Sequence, residues 1–194
     1  MSDTTTGPGT KRVDPRVART RSLLRSAALE LAAERELSGI TIAHVAERAT
    51  VNRATVYQHY DDRDALLLDA MEDELTGLTG LLARCPLVDR PDTMPETFLD
   101  VFRHVESRLV LYRRMLGPCG SARFLNRLQQ LVAEQVARQL PAPGAGDAGT
   151  AADLRAHCAA GAFIGILRHW LLAPDLLASD VVAPWAWQAL TASR

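Results

Sequence analysis

Long apolar runs are missing from this 194-residue chain. The longest charge-free apolar stretch near the C-terminus, Cys158 to Leu167, is ten residues before Arg168 interrupts it, against the roughly 20 that a spanning helix requires. No membrane span is expected there. Met1 to Thr10 has no apolar core either, so neither a signal nor a transit peptide is expected, and the expected location is the cytoplasm. Cysteine is scarce: Cys85, Cys119 and Cys158 are scattered, odd in number and without a C-x-x-C pair. That pattern argues against a disulfide framework and a zinc cage, and the thiols are expected to be packed. β-Branched aliphatics are few as well, 17 Ile plus Val against 58 Ala plus Leu, a balance that favours helix over sheet. The expected fold class is therefore all-α.

Catalytic signatures are equally absent. The chain has no G-x-S-x-G and no H-E-x-x-H, and His157-Cys158, adjacent on a helix, would point about 100° apart, a poor dyad. An enzyme is not expected, nor a metal, nor a cofactor. What the chain does have is an uneven charge distribution. Its net charge is −1, yet residues 1–60 carry nine Lys/Arg and six Asp/Glu, and residues 11–25 carry six basic groups against Asp14 alone. A basic end on an acidic body can set one end against a polyanion; a solvated helix face gives the same count.

Residues 1–13 read as a disordered tail ending in Lys11-Arg12. Asp14-Pro15 then opens a helix, an N-cap followed by proline at the first helical position. Val17, Leu24, Ala27, Ala28 and Leu31 recur at helical spacing until Ser38-Gly39. Thr41 caps a short helix with Ile42, Val45, Ala46 and Ala49 on one stripe. Asn52 caps a third, to about Tyr60, with Val51 placed to staple onto Val56. One longer helix is expected from Asp62 to Arg84, joining a head (14–61) to a body (62–194), and it stops at Cys85-Pro86. Further helices are expected from about Pro95, over Leu109–Leu116, from Ser121 to Pro141, over Ala151–Leu172, and over Val181–Leu190, with Pro184 obscuring the last one's start. Pro141–Thr150 reads as a loop. The segment 151–172 is apolar on two faces and so needs cover on both; a second copy of the chain is the expected second cover, a central place in a monomeric bundle the alternative.

Helix, short helix, tight turn and capped short helix is the order of a helix-turn-helix, whose second helix enters the major groove. Thr41 to Tyr60 fits it. Thr41, Arg53, Thr55, Tyr57, Gln58 and His59 are hydroxyls, amides and side chains of moderate reach suited to phosphates and base edges. Tyr57 and His59 equally suit half-buried core positions.

The run Thr41-Ile42-x-x-Val45-Ala46-x-x-Ala49-Thr50-Val51-Asn52-x-x-Thr55-Val56-Tyr57-x-His59-Tyr60-x-x-Arg63-x-x-Leu66 resembles the N-terminal domain of the tetracycline-repressor (TetR) family of bacterial transcription regulators. Ala27 to Leu31 stays in register with that family's first helix, and the resemblance covers residues 16 to about 70. It implies that Thr41, Tyr57, His59 and Arg63 contact the DNA backbone and that Arg53, Ala54, Thr55 and Gln58 face the bases; Asn52, the cap of the same helix, is a further DNA-binding candidate. Where the family carries glycine, this chain has Glu36 and Thr50; a β-branched residue at a helix exit that needs positive φ is an outlier.

For the body the resemblance implies a helical domain that dimerises through its last two long helices and encloses a pocket for a small-molecule effector. Phe163, Ile166, Leu167, Trp170, Trp185 and Leu190 are the interface candidates. Phe98, Phe102, His104, Tyr112, Met115 and Phe163 are the pocket candidates, although Phe and Met at helical spacing are also ordinary core. The implied partners are double-stranded DNA carrying an inverted repeat, a second copy of the chain, and a small apolar or amphipathic effector whose binding releases a repressor. A body that binds another protein instead is the alternative. An enclosed apolar cavity of a few hundred Å3 favours the effector, its absence the protein partner.

Overall fold

The computed structural model describes residues 14–88, 91–140 and 148–191. The expected tail, 1–13, and most of the expected loop, 141–147, lie outside the described residues. Every regular element among the described residues is helical: ten α-helices and one 3-10 turn.

Helix α1 spans Pro15–Glu34. Asp14 caps it, its side chain accepting from the Arg16 N–H at 2.8 Å, and Pro15 takes the first helical position. Leu24, Ala27, Ala28, Leu31 and Ala32 are its buried stripe, whereas Val17, expected on that stripe, is exposed. The helix ends short of Ser38-Gly39 because Arg35 turns extended; Leu37–Gly39 then forms the 3-10 turn and buries Leu37. Helix α2, Ile42–Arg48, begins in a capping box: Thr41 Oγ1 accepts from the His44 N–H at 3.2 Å, and the Thr41 N–H donates to His44 Nδ1 at 3.3 Å. Helix α3, Arg53–Tyr57, is capped by Asn52, whose carbonyl accepts from the Ala54 N–H at 2.9 Å.

The single rod expected over 62–84 is two helices, α4 (Arg63–Ala70) and α5 (Glu72–Leu82), interrupted at Met71. Glu72, Asp73 and Glu74 make the first turn of α5 acidic, where a helix start favours negative charge. Helices α6 (Glu96–Ser107), α7 (Leu109–Leu116), α8 (Ala122–Gln139), α9 (Ala148–Leu172) and α10 (Ser179–Thr191) complete the body. The start of α9 falls inside the stretch expected as a loop. Pro184 lies inside α10, which begins earlier than expected because the Glu106 carboxylate holds its first residue: Oε1 accepts from the Ser179 N–H at 3.1 Å and Oε2 from its hydroxyl at 2.6 Å.

Helices α8 and α9 form the most extensive pairing, α10 packs on α6, and α1 packs on α4 and on α7. Head and body thus share one continuous apolar core from Leu24 to Leu190.

The joint between α2 and α3 carries the one positive φ found on a non-glycine residue among the described residues, Thr50 at 55°. The Val51 N–H donates to the Ala46 carbonyl at 2.9 Å and the Thr50 N–H to that of Glu47 at 3.1 Å, the paired bonds of a Schellman ending. That ending fixes the direction in which α3 leaves α2, and it holds a β-branched residue where glycine is comfortable. Glu36, the other departure, is extended at φ −62° and unstrained. Thr50→Gly is expected to stabilise the fold by about 1 kcal/mol, a rise of roughly 2–4 °C in melting temperature by calorimetry. A lower melting temperature would show that the threonine side chain contributes more than its backbone strain costs.

Candidate nucleic-acid interface

Helix α3 has two sides. Val56 is 0% exposed and Tyr60, just beyond the helix, is 6% exposed, so both belong to the core of the head. On the other side Arg53, Ala54, Tyr57 and Gln58 are exposed, with Thr55 at the border. The Tyr57 ring is 59% exposed, which sets aside the core reading for it; His59 is half-buried, its ring tilted 50° against Tyr60 at 6.4 Å between centroids. Arg53 makes no side-chain hydrogen bond or ion pair among the described residues, and neither do Arg16 and Arg19 on α1. Thr41 and Asn52 are exposed at the two helix mouths. Each uses one oxygen for its cap and keeps donors to offer, the Thr41 hydroxyl hydrogen and the Asn52 amide hydrogens. A row of donors at two helix starts beside a free guanidinium and an outward ring suits phosphates and base edges.

Arg63 sits differently from the backbone-contact role that the resemblance implied. It is half-buried, and its Nη1 donates to the carbonyls of Leu37 at 2.9 Å and Ile40 at 3.4 Å, while Nε and Nη2 reach Asp64. Its guanidinium bonds the Leu37 and Ile40 carbonyls at the 3-10 turn and its exit and so pins that turn to α4. Arg48 is engaged as well, pairing with Glu34 at 2.7 Å and Glu30 at 3.2 Å across α1 and α2.

The floor under α3 is polar. Tyr60 donates its hydroxyl to Asp69 at 2.5 Å, Arg21 reaches the same carboxylate at 2.8 Å and lies 5.7 Å from the Tyr60 ring centroid, and Arg25 bridges Asp69 at 4.0 Å and Asp73 at 2.8 Å. Burial, and then the hydrogen bond to Asp69, push the Tyr60 phenol up to about 12.

Of the six pocket candidates, Phe98, Phe102 and Phe163 come together, and His104 pairs with Tyr112. Phe98, Phe102 and Tyr112 are 0% exposed, Met115 1% and Phe163 4%. Phe98, Phe102 and Phe163 form an aromatic cell with Trp187 and Trp170, with centroids 4.9–6.4 Å apart. His104 lies against the Tyr112 ring, 6.1 Å between centroids, its Nε2 3.1 Å from the Glu74 carbonyl and 3.2 Å from the Tyr112 hydroxyl. The cell is nearly full: the void lined by Phe98, Phe163, Trp187, Val132 and Leu190 measures about 20 Å3, room for about one water.

Of the dimer candidates, Phe163, Leu167, Trp170 and Leu190 are buried in the chain's own core, so they are spent within one copy; Ile166 is partly buried and Trp185 is 57% exposed. The outward side of α9 carries Leu154, Cys158, Gly161, Gly165 and Leu172, the second of the two apolar faces of residues 151–172. The two-faced pattern was legible there, but which face meets the core was not, because both are apolar. Cys85 is packed as expected, while Cys119 and Cys158 are exposed.

Sequence reasoning missed the Tyr60–Asp69–Arg21 floor. Its signal was present: Arg21/Arg25 and Asp69/Asp73 are complementary pairs, each at i, i+4 on its own helical stretch.

A head of three short helices, its last one outward, on an all-helical body defines a helix-turn-helix fold. Residues 24–70 match the family described as bacterial regulatory proteins, tetR family. The chain is 41% identical to an uncharacterised HTH-type transcriptional regulator, YxbF of Bacillus subtilis (strain 168), over 50% of this chain and 33% of that protein. It thus spans about a third of the length of that curated relative. A TetR transcriptional regulator of Streptococcus agalactiae has the same fold, with a TM-score of 0.64 at 20% identity over 90% of this chain and 95% of that one. So does RolR, solved with its ligand resorcinol, with a TM-score of 0.59 at 23% identity over 90% and 88%.

Because the Tyr60 phenol titrates higher in the folded chain than the ordinary value near 10, its contribution is complete below about pH 10 and is lost as pH rises through 12. Tyr60→Phe is expected to remove that part of the alkaline loss of stability, measured by denaturant titrations between pH 9 and 12. Parallel curves for the two proteins would mean that the Asp69 bond has no such role.

Proposed function

We propose that the chain is a repressor in the cytoplasm that binds an inverted-repeat operator as a homodimer. The observation that carries this reading is α3 itself, with its inner side sealed by Val56 and Tyr60 and its outer side offering a free Arg53 and a Tyr57 ring 59% exposed. Thr41, Asn52, Tyr57 and His59 position the head on the phosphates; Arg53, Ala54, Thr55 and Gln58 face the base edges, an arginine being suited to guanine O6 and N7. Arg63 supports them from behind by holding the 3-10 turn.

Two such helices must sit about 34 Å apart to read successive major grooves. The surface that sets this spacing is the outward side of α9, Leu154, Cys158, Gly161 and Gly165, together with Val181 and Trp185 of α10; Leu154 is 66% and Trp185 57% exposed in the single chain. Large apolar side chains left in solvent are what a partner copy covers.

A small apolar or amphipathic effector would release DNA by favouring a dimer in which the helices no longer match the grooves; RolR, of similar fold, was solved with the ligand resorcinol. With a void of about 20 Å3, such an effector enters only by parting Phe98, Phe163 and Trp187. A partner protein needs no such opening, and the packed core favours that second reading of the control. A rise in melting temperature with small aromatic ligands, lost in Phe163→Ser, supports the effector; no shift with any of them supports the protein partner.

Tyr57→Ala is expected to weaken binding to operator and random DNA alike, whereas Arg53→Ala costs about 1–3 kcal/mol on the operator and relaxes its preference, read by titration of both DNAs at fixed salt. Equal losses for both variants on both DNAs would refute the division. A Cβ at Gly161 meets nothing within 4 Å, so Gly161→Glu leaves the fold intact and is expected to yield monomers by light scattering and to abolish tight operator binding. A dimeric variant would move the interface elsewhere.

A further inference from the structure

A groove of about 370 Å3 runs along the seam where the head meets the body, walled by Glu36 of the head and by Val110, Arg113, Arg114 and Leu172 of the body. Its charged groups are one carboxylate and two guanidiniums, one positive charge in excess. Arg114 Nη1 holds Glu36 Oε1 at 2.7 Å, and this is the only partner Arg114 has among the described residues, its buried Nε making no hydrogen bond. Arg113 has no side-chain partner among the described residues. With Arg113 thus unpaired and Arg114 spending one nitrogen on Glu36, the groove has donors to spare, and a carboxylate accepts such donors in pairs. The rest of the lining is apolar: Val110 is 49% and Leu172 38% exposed. Gly117 keeps the floor low, since a Cβ there would sit 2.6 Å from the Arg113 carbonyl.

We propose that this seam groove binds a small organic carboxylate, its anion held by Arg113 and Arg114 and its hydrocarbon part laid on Val110 and Leu172, and that binding displaces Glu36 from Arg114. Glu36 immediately precedes the 3-10 turn, and its carbonyl accepts the Gly39 N–H at 3.0 Å. The same turn gives its Leu37 and Ile40 carbonyls to Arg63. Displacement therefore loosens the turn that joins α1 to α2 and uncouples the head from α7. The site stands on the chemistry of the groove; only its regulatory consequence rests on the DNA-binding reading.

The test uses the full chain without DNA. Octanoate supplies the anion and the hydrocarbon, octanamide the same hydrocarbon without charge, and acetate the charge alone. Calorimetry at low salt is expected to show octanoate binding at least tenfold tighter than the other two. Arg113→Ala is expected to lose about tenfold, as for a hydrogen-bonded charge, and Glu36→Gln, which removes the competing carboxylate, to tighten binding several-fold. Hydrogen exchange at the Gly39 and Ile40 amides is expected to accelerate with octanoate in the wild type and not to respond further in Glu36→Gln. Octanamide binding as well as octanoate, or Arg113→Ala binding like the wild type, overturns the site. Octanoate binding that leaves the turn's exchange unchanged overturns the displacement. Neither outcome bears on operator binding, which is measured separately.

Discussion

The orientation of the reading helix depends on how α1 lies against α4. Leu24, Leu31, Leu66, Leu67 and Ala70 are at most 2% exposed, and each large apolar side chain so buried is worth about 1.5–3 kcal/mol. The ion pairs over this core contribute less: the Arg21 and Asp73 side chains are 47% and 86% exposed, and exposed pairs are typically worth about 0–1 kcal/mol. What they supply is register. Asp69, 23% exposed, gathers the Tyr60 hydroxyl and Arg21 onto one carboxylate, so sliding α1 along α4 by one turn would leave a mostly buried acceptor without its donors. Apolar burial holds the helices together, and Asp69 decides where along each other they rest.

The helix-turn-helix was legible because its signals are local. Thr41, Asn52 and Asp14 act as caps at the positions where their short polar side chains and the following apolar stripe place them, and Val56 alternates with Tyr57 as a two-sided helix demands. Thr50 was legible as an oddity through the resemblance, which sets glycine at that helix exit, and its φ of 55° agrees. The fate of Arg63 was not. A basic residue after an aromatic pair suits a phosphate, and nothing in the string shows that the Leu37 and Ile40 carbonyls, more than twenty residues earlier, return to meet it. The break at Met71 was hidden for the opposite reason: the apolar stripe runs straight through it, and only the acidic triplet after it hints at a second start.

In the body, type and approximate extent of each helix followed from periodicity, but the role of each face did not. Phe163, Leu167 and Trp170 read as an outward seam because α9 is apolar all round; tertiary packing then chose them for the core, where the Phe98–Trp187 and Phe102–Trp170 ring pairs enclose almost no free space. Aromatic spacing announces that rings will meet, and volume decides whether anything fits between them.

The clamp of Glu106 on Ser179 has a mechanical corollary. Two bonds fasten the head of α10 to the end of α6, and the Phe98–Trp187 stack, 4.9 Å between centroids, fastens the two helices again further along. Riveted at two points, they travel as one plate. A tilt imparted to α6 from the interior is thereby carried through to the outer edge of α10, where Trp185 stands in solvent, without any intervening loop to absorb it.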